Sequence, residues 1–502
     1  MNTSFRMTTE DWRRLQEHFK AAGSNETQAF AVCANARCDA QTTYLVKHLL
    51  LPGKDDLEKQ SAGAVAPTAE FQAIAYGLAW DLGLSVFDLH THPFSEQPML
   101  SSIDYHHGRK NAQCLGKYLP SNATSGMLVF NSTGESFHGV HWDNPAKDFL
   151  PVNTVEILGS PTLLLPTSVR TTTASNDPYA RHRIIPGWRQ GVLENANVMI
   201  VGLGGNGALI FQSLVALGFG TQGWLWACDP DILETSNLPR IPYATPAQIG
   251  CKKAAIAQQY AEQSAPGRNV ACFGDGFETA EMQDLAKQAH LLIGAVDSHG
   301  VRKLVNRHSV SYLIPYLDIG TEIIVEEGDE FKELGQVIAV VPGQSPCLTC
   351  IGAIDASEAA NELASEDVMA ERQRHGYVRG TSLTPTPSVI HLNGVTSHLA
   401  LSQMLRLVFG DNLVGNEFLQ YDRGAGQLMS ASTEWNPDCP VCGRRGYVGI
   451  GDSQSDLPAF VSLPGNGMIT LVDGESRDAS NDVGEEQCHN KHYHPSKKVA
   501  ST

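Results

Sequence analysis

The run Val198-Met199-Ile200-Val201-Gly202-Leu203-Gly204-Gly205-Asn206-Gly207 reads as a buried strand passing into Gly-x-Gly-x-x-Gly and then into an apolar helix. Glycines at such a turn let the backbone approach a phosphate group, while the helix start offers free N–H donors and a positive dipole end. Many NAD- and FAD-binding chains share this pattern, so its meaning depends on the residues downstream. Leu225-Trp226-Ala227-Cys228 forms a second apolar strand that ends in Asp229, where an acidic residue can accept hydrogen bonds from ribose hydroxyls. Beyond it come Asp231, Ser236-Asn237-Leu238-Pro239-Arg240, Gly250-Cys251-Lys252-Lys253, and Gly294-Ala295-Val296-Asp297-Ser298 with Arg302 and Asn306. Hydride transfer needs no such series of charges; nucleotidyl transfer does. Arg240 and Lys253 can neutralise phosphate charge as it develops, Asn237 can orient a phosphate oxygen, and Asp297 can hold magnesium between phosphates.

These elements resemble the ThiF/MoeB family and the adenylation domains of ubiquitin-activating enzymes, which join the C-terminal carboxylate of a ubiquitin-like protein to AMP. The family's Asp-x-Asp falls on Asp229 and Asp231, its Ser-Asn-Leu-x-Arg on Ser236 to Arg240, and its Gly-x-x-Lys on Gly250 to Lys253. Its Thr-Asp-Asn falls on Val296 to Ser298, where the final Asn is replaced. The resemblance implies ATP and Mg2+ as ligands, bound through Gly202, Gly204, Gly205, Gly207, Asp229, Asn237, Arg240, Lys253 and Asp297. It also implies a homodimer in which an arginine reaches into the partner's site. Tyr179-Ala180-Arg181-His182 is similar to the family's Tyr-x-Arg-Gln, making Arg181 the candidate and Arg183 its substitute.

Cys347-Leu348-Thr349-Cys350 and Cys439-Pro440-Val441-Cys442 are two CxxC knuckles able to wrap one tetrahedral zinc. Four thiolates leave no position for water, so such a site is structural. Paired knuckles also occur in many ThiF/MoeB relatives. Activating enzymes that proceed past the adenylate capture the protein on a cysteine between the knuckles, yet none lies between Cys350 and Cys439. Either the enzyme stops at the adenylate, or it passes the acyl group to a partner, or a hydroxyl such as Ser382 or Thr384 takes the cysteine's place with His375 or His391 as base. A Pro/Thr loop without chemistry is the simpler account of that segment. Cys228, in an apolar strand, and Cys251, in the Gly-x-x-Lys turn, do not suggest acyl carriers.

Nearer the N-terminus, His90-Thr91-His92-Pro93 is followed by Ser101 and Asp104. Two histidines two apart at a strand end project to one side, and an aspartate opening the next helix completes a His, His, Asp set with a fourth position left for water. Zinc there would lower the pKa of its water to roughly 7. Glu26 is the candidate for moving the proton to a leaving amine, and Ser101 for steadying an oxyanion. The order resembles the JAB/JAMM (MPN-plus) metallopeptidases, which cut the bond after a ubiquitin-like C-terminus, with one more residue between Pro93 and Ser101 than the commonest spacing.

Length and composition are compatible with this reading. The chain has 502 residues, room for two or three domains, and an ordinary apolar fraction of 42%. A net charge of −18 argues against general nucleic-acid binding and permits a basic partner surface. No apolar run suits a bilayer and no signal peptide is visible, while eleven cysteines, four of them in metal-type spacing, suit a reducing cytoplasm. The expected fold class is α/β throughout: a JAB/MPN-type, cytidine-deaminase-like domain over 1–165, a Thr/Ser-rich linker over 166–178, a Rossmann-like adenylation domain with a four-cysteine zinc site over 179–450, and a poorly ordered extension over 451–502 that holds an apolar pair of short segments near Phe460 and Met468. Together the motifs point to a bifunctional enzyme of a bacterial ubiquitin-like pathway, acting on a ubiquitin-like protein and handing it to a conjugating-enzyme-like partner. Sulfur-carrier activation for cofactor or metabolite synthesis is the alternative.

Overall fold

The computed structural model describes residues 2–39, 41–159, 163–166, 177–325, 330–364, 387–409, 417–431 and 433–453. Most of the expected linker, the Ser382/Thr384 segment with His375, and the chain after Ser453 lie outside the described residues. Two sheets organise the chain, one on each side of residue 177.

The first sheet contains β1 (Asn2–Thr8), β2 (Gln28–Cys38), β3 (Gln41–Leu50), β6 (Ser85–Thr91), β7 (Ser125–Phe130), β8 (Phe137–Asp143), β9 (Asp148–Pro151), β10 (Thr154–Leu158) and β11 (Leu163–Pro166), in the spatial order β11-β10-β1-β3-β2-β6-β7-β8-β9. A small separate hairpin pairs β4 (Leu57–Ser61) with β5 (Ala64–Pro67). The central strand β2 is buried on both faces, as its nearly unbroken small and apolar sequence requires. Ala29, Ala31 and Cys33 face a core shared with Trp12, Leu15 and Phe19 of helix α1 (Thr9–Ala22). Phe30, Val32 and Ala34 face Phe71, Ala75, Leu78 and Ala79 of α2 (Ala69–Leu82). Alternation along one strand thus fills two cores. Thr8 caps α1 by accepting from Asp11 N–H, and Gly23, at φ 62°, ends it. A third helix, α3 (Ser102–Leu115), packs on β7.

The second sheet runs β14 (Val270–Phe273), β13 (Leu225–Cys228), β12 (Val198–Val201), β15 (Leu291–Gly294), β16 (Tyr316–Val325), β17 (Phe331–Val340), β18 (Phe418–Asp422), β19 (Gln427–Ala431). Its first five strands are parallel and the rest antiparallel. Short helices α4 (Ala180–Arg183) and α5 (Gln190–Asn195) lead in, followed by α6 (Gly205–Leu217), α7 (Lys253–Ser264), α8 (Ala280–Ala286), α9 (His299–Tyr312), α10 (Ala356–Glu362) and α11 (Ile390–Phe409). Val198 and Ile200 point into the core beneath α6, α7 and α11, whereas Met199 and Val201 point into the core beneath α8 and α9. The strand order reverses between β12 and β15, the place where an open parallel sheet forms a crevice at its carboxyl edge.

The two halves touch through both apolar and polar groups. Leu313 at the end of α9 joins the core under α2. Arg6 of β1 is buried, pairs with Glu156 of β10 at 2.6 Å, and donates to the carbonyls of Tyr312 at 2.8 Å and Ala289 at 3.3 Å. Lys47 of β3 donates to Val448 O at 2.7 Å. Asp452 binds Lys287 at 2.7 Å, Tyr312 OH at 2.9 Å and the N–H of Arg37 at 2.7 Å.

Candidate nucleotide site and metal centres

The glycine turn sits at the crevice between β12 and β15. Gly202 has φ 93°, and a Cβ on Gly207 would lie 1.9 Å from Gly202 O, so neither position accepts a larger residue without moving the turn. Gly204 is the N-cap of α6 and supplies no side chain to the helix's first N–H groups. A cavity of about 350 Å³ opens there. Gly202, Gly204, Gly205, Asp229, Asn237, Arg240, Lys253 and Asp297 all line it; Gly207 does not, and serves the close packing of the turn instead.

Each side chain is held by local structure. Asp229, at the end of β13, accepts from Leu203 N–H at 2.6 Å and Asp231 N–H at 2.9 Å, which ties the glycine turn to the second strand. Burial raises its carboxyl pKa, against the pull of Lys253 and the two N–H donors. Lys253 opens α7 with its ammonium 2.8 Å from Asp231 and 3.8 Å from Asp229. Asn237 is buried and accepts from Glu234 N–H, while Arg240 donates to Ser236 O at 2.9 Å. Asp297 is exposed at the mouth of the cavity, just before Ser298, the N-cap of α9. Cations, amide donors and an exposed carboxylate around a helix N-terminus form a set suited to a magnesium-bound polyphosphate.

Arg181 lies elsewhere. It is exposed on α4 and does not line the cavity, and Arg183 is engaged with Asp177 at 2.6 Å and Glu194 at 2.8 Å. Intrachain pairing thus removes Arg183 as a free substitute. His391 likewise pairs with buried Glu333 at 2.8 Å. Cys228 is buried and its thiol pushed far up by burial, while burial raises the Cys272 thiol to about 12, so neither is a nucleophile at neutral pH.

The four knuckle cysteines converge, with all Sγ atoms within 4.8 Å of one another. Cys347 Sγ and Cys439 Sγ are 3.7 Å apart. Thiolates about 2.3 Å from a tetrahedral centre stand roughly 3.8 Å from each other, so the donor set fits zinc. The cluster closes against the core of α9, whose Asn306 accepts from Leu348 N–H at 3.0 Å.

In the first half, His90 is the penultimate residue of β6, His92 directly follows the strand, and Asp104 lies in the first turn of α3; their ligand atoms are within 4.8 Å of one another. Asp104 Oδ2 is 3.8 Å from His90 Nε2 and 3.9 Å from His92 Nε2, and Glu26 Oε1 is 3.9 Å from His92 Nε2. His90 Nε2 is buried without a hydrogen-bond partner, as expected of an atom reserved for a metal. Its Nδ1 faces Asp88 Oδ1 at 3.2 Å, and Asp88 is in turn held by Gln28. Burial lifts the Glu26 carboxyl above its ordinary value. Ser101 is the N-cap of α3: its Oγ accepts from Asp104 N–H at 3.2 Å, and Asp104 Oδ2 accepts from Ser101 N–H at 2.6 Å.

Several lining groups carry no signal in the sequence. Asn393 of α11 packs its amide where a Cβ on Gly205 would be, and Thr321 and Ser388 hydrogen-bond to it. No local pattern announces these. Asp88 is readable in principle, since a residue two before His90 shares its face of β6.

The second half is thus a doubly wound domain with a phosphate-type crevice and a thiolate cluster. Residues 179–441 match the ThiF family, and the chain belongs to it. The chain is 27% identical over 292 residues to the SAMP-activating enzyme E1 of Haloferax volcanii, covering 57% of this chain and 96% of that protein. It is 26% identical over 284 residues to the sulfur carrier protein adenylyltransferase of Thermus thermophilus, covering 55% and 93%. A stretch of 142 residues is 34% identical to the probable adenylyltransferase/sulfurtransferase MoeZ of Mycobacterium tuberculosis, covering 28% and 36%. No described helix is long and apolar enough to cross a membrane.

Proposed function

We propose that the second half adenylates the C-terminal glycine of a ubiquitin-like protein with ATP, and that the first half is a zinc peptidase acting on that protein's precursor or conjugates. The observation that carries the adenylation reading is the meeting of Asp229, Asn237, Arg240, Lys253 and Asp297 around one glycine turn. Asp229 fixes the turn and faces the ribose; Arg240 and Lys253 screen phosphate charge; Asn237 orients a phosphate oxygen; Asp297 holds Mg2+ at the mouth. The tail carboxylate attacks the α-phosphorus and pyrophosphate leaves. Arg181, exposed and outside its own cavity, is assigned to the site of a second copy in a homodimer. The four-cysteine cluster is assigned a structural zinc.

In the first half, His90, His92 and Asp104 are the zinc ligands. Zinc supplies an activated water when bound. Asp88 holds His90 in the tautomer that leaves Nε2 free. Glu26 accepts a proton at Oε1 and delivers it to the leaving amine. Ser101 orients Asp104 and stands beside the reacting carbonyl. A conjugating-enzyme-like protein is the proposed recipient of the activated product, and the cytoplasm the proposed compartment. Sulfur-carrier activation is the second reading, favoured by the names of the Thermus and Mycobacterium relatives.

A pull-down with ATP should recover a small protein that gains the mass of AMP at its C-terminus. With it in hand, Asp297→Ala should abolish ATP–pyrophosphate exchange and leave cleavage, whereas Glu26→Ala should do the reverse. Loss of both activities in either variant, or no adenylated protein, counts against the proposal.

A further inference from the structure

One cation of the nucleotide cavity has no part in the scheme above. Arg302 lies in the first turn of α9, lines the cavity beside Asp297 and Ser298, and is only 11% exposed. Its Nε stands 3.4 Å from Asp318 Oδ1, and its Nη2 is 3.5 Å from Ile319 O, both long for hydrogen bonds. Asp318 is fully buried in β16; its Oδ1 accepts from Tyr316 OH at 2.6 Å, and its Oδ2 has no hydrogen-bond partner. Tyr316 lies under Gly294, three residues before Asp297: a Cβ there would be 2.5 Å from the phenol oxygen. Gly320 makes the matching space on the other side, since its Cβ would lie 2.9 Å from Arg302 Nη2.

Two glycines therefore clear room for a buried acid and a guanidinium that it holds at the cavity wall. A buried ion pair is costly to desolvate and adds little to stability by itself, so its presence at a crevice wall points to a ligand. We propose that Arg302, held by Asp318 and Tyr316, binds an oxyanion of the reactants, either an ATP phosphate or the carboxylate of the glycine tail. A guanidinium offers two parallel N–H groups to a phosphate or a carboxylate alike. The inference rests on the adenylation reading.

The test uses the full chain. Mg-ATP binding is measured by calorimetry, and a synthetic octapeptide ending in Gly-Gly is compared with its C-terminal amide for competition and for stimulation of ATP–pyrophosphate exchange. Arg302→Gln alone strands the Asp318 charge and can unfold the domain; the double variant R302Q/D318N removes both charges and keeps the shape. A loss of about tenfold or more in Mg-ATP affinity, the scale of one charge-assisted hydrogen bond, assigns the phosphate as ligand. Unchanged ATP affinity with a similar loss of the acid's advantage over the amide assigns the carboxylate. A folded double variant equal to wild type in both arms overturns the inference while leaving adenylation standing. Wild type that does not bind Mg-ATP sinks the adenylation reading itself.

Discussion

At the scale of single residues, the same side-chain types do different work because their surroundings differ. Cys228, the last residue of β13, is buried and kept as a neutral thiol, whereas Cys347, Cys350, Cys439 and Cys442 face one another as a cluster of four sulfur ligands. Asp104 and Asp297 contrast in the same way. The first is aimed at two imidazoles and anchored by Ser101 N–H; the second stands exposed at a cavity mouth. The two centres should therefore load independently. Metal analysis of purified protein should give two zinc equivalents, one for each cluster. Asp104→Ala should lose one at a cost of about 1 kcal/mol, because its carboxylate also accepts from Ser101 N–H at the start of α3. Cys439→Ser should lose the other and destabilise the second half strongly, since structural zinc in small domains contributes an apparent 10–16 kcal/mol, about the whole stability of a typical domain. Equal metal content in Asp104→Ala and wild type would remove the first centre.

At the scale of elements, α3 shows how helix and site depend on one residue. Ser101 and Asp104 form a reciprocal capping box: the carboxylate aimed at His90 accepts from the backbone N–H of Ser101, while Ser101 Oγ accepts from Asp104 N–H. Ser101→Ala should cost about 1 kcal/mol of stability and change zinc binding little, because the backbone N–H that holds the carboxylate remains. Ser101→Asn, which still caps, should restore the melting temperature; if it matches wild type in the proposed cleavage as well, the hydroxyl has no role beyond capping. This element is legible in sequence because its hydrogen bonds span three residues. The strand–glycine–helix unit from Val198 to Leu217 is legible for the same reason: a buried strand, a turn with obligatory glycines and an apolar helix are set by neighbours in the chain. Asn393 is not, because what gives it meaning is Gly205, far away in sequence and brought close only when α11 packs on α6. Arg302 stands out among the charged residues, but its partner Asp318 sits inside an apolar strand where sequence shows only an interruption. The order of the first sheet is equally hidden, since β1 pairs with β3 and β10 through contacts between distant segments.

At the scale of the whole molecule, the question is whether the halves behave as one body. Arg6 answers it chemically: its guanidinium meets Glu156 inside the first half and two main-chain carbonyls of the second. Burial alone would raise the Glu156 pKa, but the charge and hydrogen bond of Arg6, with His290 beside it, outweigh it and bring the value below that of an ordinary glutamate. A depressed acid stabilises the fold fully above its unfolded pKa, about 4.5, and loses that contribution as pH falls through the lower folded value. Arg6→Met should therefore cost about 3–5 kcal/mol near pH 7, because it leaves a buried carboxylate unpaired and two carbonyls without their donor. In that variant burial acts on Glu156 unopposed by Arg6, so its pKa rises and acidification to about pH 5 should narrow the gap to wild type. Arg6→Met with Glu156→Leu should recover much of the loss, as apolar replacement of a buried pair generally does. Calorimetry separates this from ordinary core damage. If Arg6 links the halves, wild type unfolds in a single transition and Arg6→Met splits it in two; two transitions already in wild type would mean that the two halves are held together by the chain alone.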